Sequence, residues 1–442
     1  MKPVVSIVKY ENLSSISKAI ELCNGFKDLK STNRVLIKPN IAGSGSGFIP
    51  PYGMVTTTKV IEGTVKALKD FGVSDISIGE GTVLDELGTN TKKAMEWIQL
   101  PKLAKKYGLK LLDFNAGPHR KIARDDFDVP INVAEAVFET DFFINLPVLK
   151  THTDTRVSLA SKNLKGCMAM ASKKFFHGEI GALHYRISRL MEIIPQHLVI
   201  IDGIYVMEKG PDPTIGTGHP RGILVSSSDF FTADTVGARL LGAKSSEVKH
   251  LLLYAQRNGR MGVLENEEAI EVRGESVKDH AKYVPWETDL FADFKEAGHT
   301  GMEVRLIGEC ACSGCYANYD FPVLLLAALS HNKRFNDTRF VTGHCYKDDQ
   351  NSPHTILFGN CAIKENKHLD KATKLAGCPP KFWDSFFFIV RRMEGLHNRI
   401  AFYFRFVKFM IKATLGIGIL PLPRYEIYKN NPDYNKKHFV VE

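Results

Sequence analysis

The sequence predicts an α/β fold: a mostly parallel sheet with helices on both faces, a small Cys-rich C-terminal module and a helical tail. Three observations carry this. From Val4 to about Leu241, short β-branched runs alternate with stretches whose apolar residues recur at helical spacing. Six of the eight cysteines crowd between Cys310 and Cys378. The residues from 382 onward form a separate regime, basic and aromatic.

Taken in order, Val4–Val8, Val35–Ile37, Ile76–Ile78, Leu109–Phe114, Phe142–Leu146, Leu198–Ile201 and Ile223–Val225 read as strands. They are continuously apolar, as strands covered on both faces must be. Between them Ser15–Phe26, Thr57–Phe71, Thr91–Tyr107 and Ile180–Ile194 read as amphipathic helices, followed by Asp229–Leu241 and Ser245–Asn258. Polar sequence from Glu265 to Glu296 separates this body from the cysteines. The expected units are therefore an α/β domain over 1–300, a Cys-rich module over 301–381 and a tail over 382–442.

Hydrophobic residues make up 44% and charged residues 24% of the chain, which excludes a disordered or fibrous protein. A formal charge of +9 over 442 residues suits an anionic small molecule or an acidic membrane surface, but is too small for a nucleic-acid footprint. Met1-Lys2-Pro3 and Val4–Val8 are too short for a secretory h-region, and no apolar run is long enough to span a bilayer. A cytoplasmic location, peripheral to the membrane if the tail contacts it, is the expectation.

Ligands of open parallel sheets bind beyond the carboxyl ends of the strands. There the sequence places Lys38 and Asn40, then Glu80 between two glycines, then Asn145, Lys150, His152 and Asp154, then Asp202. Lys162 and Lys165, three apart in a segment able to start a helix, would share a face and clamp a phosphate or carboxylate. Each residue alone has a bland reading as a solvated loop charge; their recurrence on one rim points to a pocket for an anion. The loop Gly43-Ser44-Gly45-Ser46-Gly47 is not a dinucleotide fingerprint and lacks a phosphate-loop lysine, so it reads as a flexible loop or lid.

Val35-Leu36-Ile37-Lys38-Pro39-Asn40, Thr56-Thr57-Thr58, Ile78-Gly79-Glu80-Gly81, Asn145 to His152, Lys162-Asn163-Leu164-Lys165-Gly166 and Ile201-Asp202-Gly203 occur in this order. Together they resemble the domain of unknown function 362 family, over roughly residues 4–245. The resemblance implies an iron–sulfur context and no defined reaction. The ferredoxin run C-x₂-C-x₂-C-x₃-C-P that some members carry is absent here.

In the late segment, Cys312 and Cys315 form C-x₂-C, while Cys361 and Cys378 each follow glycine or asparagine in a turn-like context. Four thiolates suit a [4Fe-4S] cluster on Cys312, Cys315, Cys361 and Cys378, with Cys310 or Cys345 as substitutes. Structural zinc on the same thiolates, a redox-active thiol pair and inert buried cysteines are the alternatives. The Gly-Cys-Pro-Pro element at Cys378 resembles ligand loops of small iron–sulfur subunits in hydrogenases and respiratory complex I.

In the tail, Phe402, Phe406, Phe409 and Met410 recur at helical spacing with Arg405, Lys408 and Lys412 on another face. Such a helix lies in a membrane interface, docks a partner or packs on its own body. The sequence thus reads as an iron–sulfur redox protein. Lys38, Asn40, Glu80, Asn145, Lys162, Lys165 and Asp202 would hold an anionic ligand, and Lys150 and His152 would serve as catalytic groups. A non-catalytic electron carrier or scaffold docking a redox partner, and a zinc-stabilised transferase, are the other readings.

Overall fold

The computed structural model describes residues 2–43, 50–83, 90–127, 129–177, 182–211, 216–286, 291–305, 313–331, 334–343, 348, 350–414, 420–429 and 431–441. In chain order the strands are β1 (Val4–Lys9), β2 (Val35–Pro39), β3 (Ile76–Glu80), β4 (Lys110–Asp113), β5 (His119–Ile122), β6 (Ile131–Ala134), β7 (Phe142–Leu146), β8 (Val148–His152), β9 (Arg156–Ser158), β10 (Leu198–Glu208), β11 (Thr217–Ser227), β12 (Glu271–Gly274), β13 (Thr300–Arg305), β14 (Arg334–Thr342), β15 (Thr355–Phe358) and β16 (Thr373–Leu375).

The large sheet has the order β12-β1-β11-β10-β7-β2-β3-β4, with β8 added beside β10 and β9 beside β8. Pairings from β10 through β7, β2 and β3 to β4 are parallel, and β11 runs antiparallel to both β10 and β1. The α/β class and the mostly parallel sheet follow from the strand sequences. In β2, Val35 and Ile37 enter one core while Leu36 enters the other; in β7, Phe142 and Ile144 oppose Phe143 in the same way. Alternate residues of a strand point to opposite faces, so both faces need a helical cover. Helices Ser14–Leu22 and Thr58–Phe71 supply one, Ala182–Ile193 the other.

The structure differs from the sequence reading in three places. The single helix expected over Thr91–Tyr107 is two, Thr91–Trp97 and Leu100–Tyr107, with Gln99 between them at φ +59°. Pro101 is the cause: it cannot sit inside a helix without losing a backbone hydrogen bond, but fits the first turn of a new one. The short strands expected at Leu198 and Ile223 are each 11 residues long and pair as an antiparallel ribbon. Asp202 therefore lies within a strand, not beyond its end. The Cys-rich segment also contains a sheet of its own: β13-β14-β15-β16, parallel throughout.

The tail packs on both units. Helix Phe382–Arg391 lies on helix Ser313–Leu329, with the Phe321 and Phe382 rings 5.7 Å apart. Helix Leu396–Thr414 buries Phe402 and Phe409, and Phe406 packs 5.0 Å from Phe386. Of the three readings of the aromatic stripe, packing on the protein's own body is the one that holds for Phe402, Phe406 and Phe409, which form the inner face of the helix. Beyond it, residues 420–441 return to the large domain. Tyr52 is ringed there by Tyr428, Tyr434 and Phe439 at 5.3, 5.0 and 5.7 Å.

Candidate functional site

The carboxyl ends of β2, β3 and β7 meet the segment Ala160–Cys167, a turn of α-helix continued as 3₁₀. Lys38 is the penultimate residue of β2 and Glu80 the last of β3, and their side chains pair at 2.9 Å, both buried. Lys38 Nζ also donates to Pro39 O at 3.0 Å and Asn163 Oδ1 at 3.3 Å. The Glu80 carboxylate accepts from the backbone N–H of Ile41 and of Gly81, at 2.9 and 2.8 Å. Asn163 accepts from Asn40 at 3.1 Å and donates to Asn145 at 2.8 Å, and Asn145 donates to Ala160 O at 3.0 Å. This network needs glycine at 166: a Cβ there would lie 2.4 Å from Glu80 Oε1 and 2.5 Å from Lys38 Nζ.

On the other side of the same segment lies a second cluster. Lys150 and His152 alternate on β8 and so share a face. His152 is fully buried, and burial holds its imidazole well below the usual pKa, aided by the charges of Lys162, Lys150, Lys165 and His177. Its Nδ1 accepts the backbone N–H of Asp154 at 3.0 Å, which leaves the proton of the neutral ring on Nε2. That Nε2 is buried and has no hydrogen-bond partner among the described residues. Burial also pulls Lys162 down to about 8, with Asp154 as the opposing charge. Lys165 donates to His177 Nε2 at 2.5 Å, and burial and the charges of Lys165 and Lys162 keep His177 neutral.

The residues expected on the rim thus divide. Lys38, Asn40, Glu80 and Asn145 form one network; Lys150, His152, Lys162 and Lys165 gather in the adjoining cluster. The Lys150 ammonium donates to two backbone carbonyls, Met54 O at 2.8 Å and Pro211 O at 3.1 Å, which makes it an organiser of those loops. Asp202 meets none of the lysines through the hydrogen bonds it makes: its carboxylate accepts from Thr57 N at 2.7 Å and Ile204 N at 3.0 Å, and burial raises its pKa to about 6. The glycine loop read as a lid lies, from Ser44 to Ile49, outside the described residues.

Sequence reasoning missed His177 and Lys173. Lys173 donates to Gly81 O at 2.6 Å and Asn115 Oδ1 at 2.8 Å, and burial lowers it to about 8. Both residues come from helix Met170–Phe176 and its end, a short element marked by no strand-end signal. The two adjacent lysines before Phe175 were the one available hint.

In the Cys-rich unit, each cysteine group follows a strand: Cys310–Cys315 after β13, Cys345 after β14, Cys361 after β15 and Cys378 after β16. Cys315 is buried near the start of its helix. Gly359, at φ +93°, passes so close that a Cβ on it would sit 3.2 Å from Cys315 Sγ. Asn360 N donates to Gly377 O at 2.9 Å and Gly377 N to Asn360 Oδ1 at 2.8 Å, which ties the Cys361 turn to the Cys378 loop. Cys361 is half-buried and Cys378 exposed. Cys310, Cys312 and Cys345 lie outside the described residues, and among the described residues no three His, Cys, Asp or Glu side chains group around one ion position.

Fold and site together describe an α/β protein with a mostly parallel sheet and a buried lysine–histidine cluster beside it. Residues 35–239 match the family described as Domain of unknown function (DUF362). A thylakoid-associated protein of Synechocystis sp., sll1697, is 27% identical over 229 residues, covering 51% of this chain and 68% of the relative. Among solved structures, the lactate racemase apoprotein from Thermoanaerobacterium thermosaccharolyticum aligns with a TM-score of 0.36 at 14% identity. That alignment covers 56% of this chain and 58% of the racemase. Among the described residues, no helix is long and apolar enough to cross a membrane.

Proposed function

We propose that this protein binds a small carboxylate- or phosphate-bearing molecule at the cluster of His152, Lys162 and Lys165. The observation that carries the reading is the buried Nε2–H of His152, which has no acceptor among the described residues and lies within the fields of three lysines. A buried donor without an acceptor costs about 1–3 kcal/mol, and an entering oxyanion would supply the acceptor. Lys162 and Lys165 would neutralise its charge, and Lys150 would hold the surrounding loops in place. An oxyanion beside His152 would also raise its pKa, giving a group able to carry a proton during chemistry on the ligand. Titration calorimetry with sulfate and with short carboxylates tests this. Binding that weakens at least about tenfold in Lys162→Ala supports it, and no binding of any of these anions refutes it.

The finer reading adds a [4Fe-4S] cluster held by Cys315, Cys361 and Cys378 together with Cys312. Its support is the interlocking of the Cys315, Cys361 and Cys378 loops through Gly359, Asn360 and Gly377. A bound cluster would supply one-electron chemistry, making the protein an iron–sulfur oxidoreductase or an electron carrier for a redox partner. Zinc on the same thiolates would instead give a purely structural centre. Anaerobic purification followed by iron, sulfide and zinc analysis separates these outcomes.

A further inference from the structure

Helix Leu396–Thr414 has two apolar faces, and among the described residues one packs inward while the other is exposed. Phe402, Phe409 and Ala413 are buried against the body. On the opposite side Leu396, Ile400, Phe404, Val407 and Ile411 are each between 49% and 74% exposed. Their spacing of four, four, three and four residues places them in one stripe along the helix. The stripe continues onto the neighbouring helix. Trp383 and Phe387 are also exposed there, their rings stacked at 6.0 Å, and Phe387 lies 6.4 Å from the Tyr403 ring. A contiguous exposed apolar surface of this breadth is uncommon on a protein that contacts only water.

Charge identifies what covers it. Of the nine Asp, Glu, Lys and Arg residues from Lys381 to Lys412, seven are basic, and the helix Leu396–Thr414 has no acid at all. Lys408 and Lys412 are exposed and follow Phe404 at intervals of four, so they form a cationic row along one edge of the stripe. Exposed Arg391 and Lys381 lie on the helix that carries Trp383 and Phe387. A second copy meeting this face would bring the same excess of basic residues to it, and its helix Leu396–Thr414 offers no acid to complement them. An anionic lipid surface complements both features at once: headgroups meet the basic edge, while Phe, Trp, Ile and Leu enter the acyl boundary.

We propose that the exposed face formed by Leu396, Ile400, Phe404, Val407 and Ile411, with Trp383 and Phe387, docks the protein in the plane of an anionic membrane. The test is co-sedimentation of the full chain with phosphatidylcholine vesicles, with and without phosphatidylserine, alongside light scattering of the protein alone. The wild type should pellet with the anionic vesicles, less so at raised salt and little with neutral ones. Phe404→Glu/Val407→Glu should lower partitioning more than about tenfold, as should Lys408→Glu/Lys412→Glu. All four positions are exposed, so thermal unfolding near that of the wild type verifies that the fold is intact. Wild-type protein that stays in the supernatant with anionic vesicles, or variants that pellet equally well, overturn the proposal. So does a dimer in solution that Phe404→Glu/Val407→Glu dissociates, since a second copy would then be what covers the stripe.

Discussion

Lys38 Nζ and Glu80 Oε1 meet at 2.9 Å across the boundary between two neighbouring parallel strands, with neither side chain reachable by solvent. Such a pair is tolerable only because every remaining lone pair and proton has somewhere to go. Pro39 O and Asn163 complete the ammonium; Ile41 N and Gly81 N complete the carboxylate. The pair therefore fixes where the β2 and β3 loops sit relative to the Ala160–Cys167 segment.

Removing one partner leaves the other charged and buried. Glu80→Met should cost about 3–5 kcal/mol of stability, and Lys38→Met/Glu80→Met much less than the sum of Lys38→Met and Glu80→Met alone. Urea unfolding of the three variants measures this. Additive losses would show that the two side chains do not act as a pair.

Gly166→Ala is expected to destabilise the domain by about 1–3 kcal/mol, although the substitution is the smallest available. The new methyl would collide with Glu80 Oε1 and Lys38 Nζ, which sit on two different strands and cannot both retreat. Gly222→Ala is not a suitable control, because φ there is +62°. Gly262→Ala is one: nothing lies within 4 Å of its added carbon, and unfolding should be nearly unchanged.

Sulfate affinity should fall as pH rises through about 8, the value to which burial lowers Lys162. Below it the side chain is charged and attracts the anion; above it the folded protein has released that proton. The same shift has a stability signature. From about 8 up to the ordinary lysine pKa the unfolded chain binds more protons than the folded one, so stability rises with pH across that window. Sulfate does not titrate there, so calorimetry at several pH values reads the protein alone. Lys162→Ala should flatten the sulfate profile and remove one lysine's share of the rise in stability, Lys173, also lowered to about 8, supplying the rest; an unchanged sulfate profile in that variant would assign the titration to another group.

Cys315→Ala should abolish visible absorbance in protein prepared anaerobically with iron and sulfide, whereas Cys23→Ala should retain it. Cys23 is buried, its thiol pushed above the usual pKa by burial, and it lies 3.3 Å from the hydroxyl of Ser226, far from the late strands in sequence. A colourless wild type under these conditions would remove the iron–sulfur reading.

The last residues should matter to the stability of the large domain. Tyr428 Oη accepts the N–H of Gly218 at 2.8 Å, and its ring stacks on Tyr52 at 5.3 Å. Tyr428→Ala is expected to cost about 3–5 kcal/mol, as for other large aromatic truncations in a core. Thermal unfolding of this variant decides it; a midpoint equal to the wild type would mean that residues 420–441 lie only loosely on the surface.

Much of the large sheet was legible because the relevant signals are local. The runs Val35–Ile37 and Phe142–Leu146 state by composition alone that they are strands buried on both faces, and Thr58–Phe71 states its helix by periodicity and by Gly72 after it. Pro101 also announced a helix boundary, one that apolar periodicity on both sides of it concealed. The strand-end lysines, His152 and the cysteines could be picked out as residue types in a recurring position.

Their partners could not, since hydrogen bonds such as Lys38 to Asn163 span 125 residues and depend on how the elements pack. Which strand ends adjoin is a property of the sheet order, and that order follows from packing energies shared over the whole core. The sequence by itself determined the α/β class, the inventory of cations and thiols, and the basic aromatic character of the tail. Tertiary structure decided that Asp202 caps a helix entry, that His177 joins His152, and that Phe402 and Phe409 face inward while Phe404 and Val407 face out. A helix with apolar residues on two sides carries no local mark of which side will find a neighbour; only the surface it packs against makes that choice.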